Sequence, residues 1–169
     1  MQSVAAAQAK PRAICYNVTV CEAPIEVSIF EKYCPVIGGT GLAWLLRHED
    51  WEGRVGEPYP PMLKTGHSLS AVDYVEALAG FCTLYEQLAT AFKDYDFVMT
   101  PASGAIPWKA DAFGPGYHLA FTGFINGCGL PAVPCDPAED GMPIDFQLPP
   151  FGQDWDLVTI AKQIEKAHP

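Results

Sequence analysis

The chain reads as an α/β domain, an open sheet with helices packed on it, and three observations predict this. The stretch 70–95 carries its apolar residues at helical spacing. The short apolar run 96–101, "DFVMTP", follows almost at once, and a long helix leading straight into a strand is an α/β unit. Two further short runs, "LPAVPC" (130–135) and "MPIDFQL" (142–148), precede a helical C-terminal stretch.

The elements follow in order. Residues 17–23, "NVTVCEA", alternate and are β-branched, which predicts a strand. Pro24 opens an apolar segment to Asp50. Pro35 and the pair Gly38-Gly39 interrupt its helical period, so two helical pieces are expected. Residues 51–67, "WEGRVGEPYPPMLKTGH", read as a polar, proline-rich connection. Ser70 with Asp73 resembles a capping box. Val75, Leu78, Phe81, Leu84, Tyr85, Leu88 and Phe92 then form an apolar stripe expected to be core, on a helix of about seven turns. In the strand candidates, the prolines sit at starts or edges. In the closing helix, Asp154 or Asp156 can cap, and Leu157, Ile160, Ala161 and Ile164 line one face. The expected order is β-α-α-α-β-α-β-β-α, and the length of 169 residues suits one domain over 1–169.

Charge narrows the partners. The chain carries 20 acidic and 10 basic side chains, a net −10, with no basic cluster. Such a surface repels phosphate backbones, so neither nucleic acid nor an anionic membrane is an expected partner. No apolar run is long enough to span a bilayer, and the first residues lack the apolar core of a secretory signal, so a cytoplasmic location is expected. The six cysteines form no Cys-x-x-Cys pair and the four histidines are scattered. Neither zinc nor any other metal or cofactor is expected, nor a disulfide framework. Most of the thiols are expected to be small buried hydrophobes. Asn17-Val18-Thr19 fits a glycosylation sequon, but the expected compartment gives it no use.

The segment 121–136, "FTGFINGCGLPAVPCD", mixes core residues with turn residues. With its neighbours it carries a resemblance. Phe121-Thr122, Asn126, Gly129, Pro131-Ala132 and Pro134 stand in the order of a C-terminal motif, followed by Gly141-Met142-Pro143, Gln147-Leu148 and a last helix ending near Glu165. Upstream, "LSAVDYVEAL" and "YDFVMTP" fit the same pattern. In this order and spacing the chain resembles the C-terminal portion of the amidase signature family, from about Cys21 onward. The resemblance implies a partial amidase-type sheet flanked by helices. It also implies that 121–136 is a short helix turning into a central strand beneath the cleft. Val133 alone fills a place where the family often has a longer strand, and Asp136 and Asp145 stand where it often has Gly.

The family hydrolyses carboxamides with a Ser nucleophile, a second Ser in a cis peptide bond and a Lys, all in a Gly/Ser-rich core. This chain has no Gly-Ser-Ser run. Its serines are Ser3, Ser28, Ser68, Ser70 and Ser103, and none has the family's context, so no catalytic residue is assigned. Ser103 in "PASGA" has no His or Lys partner near it in sequence, leaving only an approach of Lys109 in space, and reads as a turn serine rather than a nucleophile. Cys128 or Cys135 with His118 makes a poor dyad on sequence grounds, since buried thiols are far commoner. The resemblance gives the loop after strand 96–101 a share in the acyl-pocket wall. The substrate-pocket candidates are Thr100, Pro101, Trp108 and Asn126, with core cover by Trp108 and backbone satisfaction by Asn126 as the structural alternatives.

Two functional readings follow. In one, the chain is the C-terminal portion of an amidase-type hydrolase, silent alone, with a small-molecule amide as substrate once the missing region completes it. It would then expose an apolar face and a strand edge, so a homo-oligomer or a partner chain is expected. In the other, it is a non-enzymatic module that binds a small molecule or a protein, with Trp44, Trp51, Trp108 and Trp155 available to line a site.

Overall fold

The structure, a computed structural model, describes residues 17–101, 103, 108–109, 116–135, 146–147 and 154–166. Helices dominate. Three come first: α1 (Val27–Leu45), α2 (Tyr59–Ser68) and α3 (Ala71–Ala91). Then follow β1 (Thr100–Pro101), a short 3-10 helix (Gly116–Leu119), α4 (Thr122–Gly127), β2 (Pro134–Cys135), β3 (Phe146–Gln147) and α5 (Asp154–Lys166).

The first expected strand is absent. Residues 17–23 are irregular and mostly exposed, so their alternation has no buried face to serve. The two helical pieces expected between Pro24 and Asp50 are instead the single helix α1, which runs through Pro35. A mid-helix proline costs about 3 kcal/mol. Packing on both sides of α1 offsets that cost, and the ring itself is exposed to solvent. Near its start, Phe30 is buried and meets Phe81 of α3 and Phe124 of α4 edge to face, at 6.3 and 6.4 Å. Near its end, Gly39 and Ala43 are buried against α2. The Gly38-Gly39 pair therefore marks a close approach, not a break. A Cβ on Gly66 of α2 would run into the carbonyl oxygen of Gly39.

The expected connection 51–67 also corrects to structure, because α2 occupies its second half. Of the prolines that suggested a loop, Pro58 is the N-cap of α2 and Pro60 and Pro61 stand in its first turn, where backbone N–H groups have no helical partner to lose. Leu63 and Gly66 of α2 are buried.

Helix α3 is capped as expected. The Ser70 hydroxyl accepts from the Asp73 N–H at 3.1 Å, and the Asp73 carboxylate accepts from the Ser70 N–H at 2.7 Å. The helix ends at Ala91, and turns carry the chain on through Asp94. The stripe is only partly core. Ala77, Leu84 and Leu88 are buried and Phe81 and Phe92 half-buried, but Val75, Leu78 and Tyr85 are exposed. The apolar face of α3 is wider than its neighbours cover.

The sheet is small. Its order is β1-β3-β2 with both pairings antiparallel: Thr100 and Pro134 both register with Gln147, Pro101 and Cys135 with Phe146. Pro101 and Pro134 lie on the two outer strands, where a missing N–H breaks no ladder. The strand after α4, expected to be central, is thus an outer strand of the described sheet. The rest of 142–148 and the Gly141-Met142-Pro143 turn lie outside the described residues, as do Asp136 and Asp145. α5 matches expectation, with Leu157, Ala161 and Ile164 buried and Ile160 packed against them.

Two clusters of buried side chains stand out among the described residues. Ile25, Phe30, Leu84, Leu88, Phe124, Ile125 and Cys128 form the helical one. Leu157, Ala161 and Ile164 form the other, with Phe97, Met99 and Val133 against them.

Gly66→Ala should destabilise the protein by about 1–3 kcal/mol, because only backbone movement can make room. Urea unfolding of the two proteins measures it, and an unchanged midpoint would contradict the close approach.

A pH dependence follows from the polar link between α1 and α3. Lys32 Nζ lies 3.0 Å from a Glu76 carboxylate oxygen, which also accepts from the Tyr33 hydroxyl at 2.8 Å. The Tyr33 hydroxyl, then Lys32, hold Glu76 below its ordinary 4.5. Hydrogen bonds from the Ser70 side chain and backbone hold Asp73 below 3.8. The hydrogen bonds that the Lys32 ammonium donates to the Tyr33 hydroxyl and the Glu76 carboxylate hold Lys32 above 10.5. A lowered carboxylate stabilises fully above its unfolded value and loses that contribution as pH falls. A raised lysine stabilises fully below its unfolded value and loses it as pH rises. The link is therefore complete between about pH 5 and 10. Being exposed, it contributes little. Thermal melts of Glu76→Gln should fall below wild type at neutral pH, with the gap closing toward pH 3.

Candidate functional site

The candidate site grows from the end of β1. Phe97 and Met99 face the α5 cluster, and this anchors the chain as it enters β1. Thr100 and Pro101 are half-buried in the strand itself. Their backbones are committed to β3, which fixes where the following loop starts.

That loop returns to the short 3-10 helix. The Ser103 hydroxyl donates to the His118 carbonyl oxygen at 3.4 Å. The Trp108 indole meets the His118 imidazole edge to face, with centroids 5.1 Å apart and planes at 63°. His118 thus gathers Ser103 through its backbone and Trp108 through its ring. Trp108 remains 44% exposed, with one part of the indole held against His118. The described strands pair antiparallel, so the rule placing clefts at the ends of open parallel sheets gives Trp108 no support. Its case rests on its exposure and its ring contact.

Asn126 has a different task. α4 ends in a Schellman turn: Gly129 N–H donates to the Asn126 carbonyl at 3.0 Å, and Leu130 N–H to the Ile125 carbonyl at 3.1 Å. Gly129 takes φ +67°, which an L side chain rarely adopts. The Asn126 side chain is exposed. Among the described contacts none joins it to Trp108, Thr100 or Pro101.

The other glycines of the motif make room for rings. A Cβ on Gly123 would meet the Phe30 ring, and one on Gly127 the Phe81 ring. Packing thus accounts for the core residues Phe124, Ile125 and Cys128 and for the two glycines that face rings.

The thiols divide by burial. Cys21 and Cys82 are exposed, Cys34 is half-buried and Cys128 is buried. Burial, and secondarily the nearby Cys82, pushes the Cys128 thiol up to about 11. Burial also raises Cys34. A nucleophilic cysteine needs the opposite shift, so Cys128 is not poised to attack. Cys135 lies in β2 and Cys15 outside the described residues. Among the described residues no group of three or more His, Cys, Asp or Glu comes together in a way that could hold a metal ion. None of the described helices is long and apolar enough to cross a membrane.

Of the four tryptophans, Trp44, Trp108 and Trp155 are exposed and Trp51 half-buried. Trp44 lies under Arg47, 4.5 Å from its ring centroid, and Trp108 lies on His118, so the described contacts do not gather them into one site. Sequence reasoning missed the link of His118 to Ser103 and Trp108, because irregular loops carry no periodicity that would reveal it.

No family model matches the chain. In sequence it is 31% identical over 102 residues to a glutamyl-tRNA(Gln) amidotransferase subunit of Clostridium acetobutylicum, a stretch covering 55% of this chain and 21% of that protein. The chain therefore spans about a fifth of the curated relative it matches. In structure it is similar to an amidase, with a TM-score of 0.81 and 20% identity, covering 99% of this chain and 42% of that one. A bacterial aryl acylamidase described as belonging to the amidase signature enzymes matches at 0.72 and 12% identity, over 100% of this chain and 41% of that one. The S177A allophanate hydrolase of Kluyveromyces lactis matches at 0.71 and 18% identity, over 98% and 29%. Sequence and fold thus agree with the resemblance read from the motifs.

Native protein treated with iodoacetamide at pH 7.5 should be alkylated at Cys82 and Cys21, with Cys128 modified at least about tenfold more slowly. Peptide mapping measures this. Fast modification of Cys128 would contradict its burial.

Proposed function

We propose that this chain, which resembles amidase signature enzymes in sequence and in fold, is the C-terminal portion of an amidase-type hydrolase. The nucleophile and its activating groups would then lie outside these 169 residues. One observation carries the reading: the chain aligns over 99% of its length with an amidase and accounts for only 42% of it. The chemistry of its own residues supports this. The Ser103 hydroxyl is aimed at a carbonyl oxygen, and the Cys128 thiol is held protonated.

In the complete enzyme a serine would attack a small-molecule carboxamide, the C–N bond would break as the amine leaves, and water would then release the acid. The contribution of this chain would be the wall formed by Thr100, Pro101 and Trp108. The indole would cover the acyl group and exclude water, while the His118 ring holds its orientation. Alone, the chain would be catalytically silent.

A second reading rests on the exposed, ring-braced Trp108 itself. The same wall would serve a binding module that performs no chemistry.

The test is labelling with a serine-reactive fluorophosphonate, mapped by mass spectrometry. The folded chain should stay unlabelled and should release no amine from simple carboxamides. Stoichiometric labelling at Ser103 would overturn the proposal and assign a nucleophile to this chain. Saturable quenching of Trp108 fluorescence by a carboxamide, without turnover, would favour the binding module.

A further inference from the structure

A pair of thiols stands where α3 passes the end of α4. The Phe81 ring of α3 lies over Gly127 of α4, so close that a Cβ on Gly127 would run into it. The next residue on each element is a cysteine, Cys82 and Cys128. Cys128 is the C-cap of α4 and is buried in one cluster with Leu84 of α3, and Phe81 packs on that cluster. The turn of α3 from 81 to 84 therefore borders Cys128, and Cys82 lies within that turn. Both thiols are free, and each is near enough for the other's charge to matter.

The two differ in a way that assigns them an order. Cys82 is exposed, where a small oxidant reaches it, and Cys128 is buried. An accessible thiol with a second thiol beside it is the arrangement in which the first is oxidised and the second resolves it. A disulfide needs the two Cα atoms within about 7 Å of each other. Gly127 favours that approach, because it carries no side chain to hold α4 away from Phe81.

We propose that Cys82 and Cys128 are a redox pair which hydrogen peroxide closes into a disulfide, tying the middle of α3 to the end of α4. The Cys82 sulfur attacks one peroxide oxygen, the O–O bond breaks, and a sulfenic acid and one water result. The Cys128 sulfur, its proton passed to solvent, then attacks the Cys82 sulfur. The S–S bond forms, the S–O bond breaks, and the departing hydroxide takes up a proton as a second water. Two thiols lose two electrons and the peroxide gains them. The effect falls on the turn that ends α4, because Cys128 stands next to Gly129 and its N–H donates to the Phe124 carbonyl at 2.9 Å. The bond holds that turn against α3, so the oxidised chain should resist unfolding more than the reduced one. Among the described contacts none joins this pair to Thr100, Pro101 or Trp108, and the amidase reading survives its failure.

The test is oxidation of the dilute, reduced wild type with hydrogen peroxide, followed by blocking of free thiols and peptide mapping without reductant. The Cys82–Cys128 peptide should be the main disulfide, and dithiothreitol should remove it. The urea midpoint of the oxidised protein should lie above that of the reduced protein and return on reduction. In Cys128→Ser the sulfenic acid has no resolving thiol, so dimedone should trap it at Cys82 at least about tenfold more than in wild type. Cys128→Ala, which keeps the buried position apolar, should behave the same way, and circular dichroism checks that both variants fold. The wild-type map decides the matter even where a variant does not fold. Three results would overturn the proposal: Cys82 passing on to sulfinic acid in wild type with no disulfide formed, a disulfide joining Cys82 to Cys21 or Cys34, or disulfides formed only between chains.

Discussion

The turn at Gly129 is the constraint on which the rest of the structure depends. α4 buries Phe124, Ile125 and Cys128 in the helical cluster, then stops in a Schellman turn that only a residue at φ +67° closes without strain. Beyond it the chain is extended. Leu130 and Ala132 pack on the helical cluster, and Val133 packs on the α5 cluster. One short segment is shared by both cores, and this is why it is apolar and punctuated at once. Its apolar residues are needed on two sides, and its backbone must reverse between them with every donor satisfied.

The same economy of side chain appears where the helices cross. Gly39 meets Gly66 backbone to backbone, Gly80 faces the Tyr33 ring, Gly123 faces Phe30 and Gly127 faces Phe81. Each removes a Cβ where a ring or a backbone must come close. At Tyr33, Phe30 and Phe81 a Cβ on the facing residue would run into the ring. The interlocking also explains how α1 carries Pro35 through its middle. Helix stability here comes from packing more than from propensity.

The candidate site was legible in part. The apolar run entering β1, and the loop after it, could be placed from the sequence, and with them Thr100, Pro101 and Trp108. The role of His118 could not, since its two contacts join residues of irregular loop and 3-10 helix that share no period. Asn126 was legible as a motif residue, yet its described role is a backbone one in the turn that ends α4. The resemblance to amidase signature enzymes rested on the order of weak motifs. The comparisons in sequence and in fold agree with that resemblance, although several element assignments changed.

Local chemistry alone determined the capped start of α3, the buried face of α5 and the turn residues of 121–135. A cap needs only a hydroxyl and a carboxylate three residues apart, and an amphipathic face needs only a period. Tertiary structure decided the rest. It left residues 17–23 irregular, because no buried surface received them. It ran α1 through its proline and glycines, because α2, α3 and α4 lie on both sides of it. It started α2 inside a run of prolines, whose missing N–H groups cost nothing in a first turn. It also decided how much of the apolar face of α3 is core. A stripe states which side chains prefer burial, and only the neighbouring elements determine how wide a strip they cover.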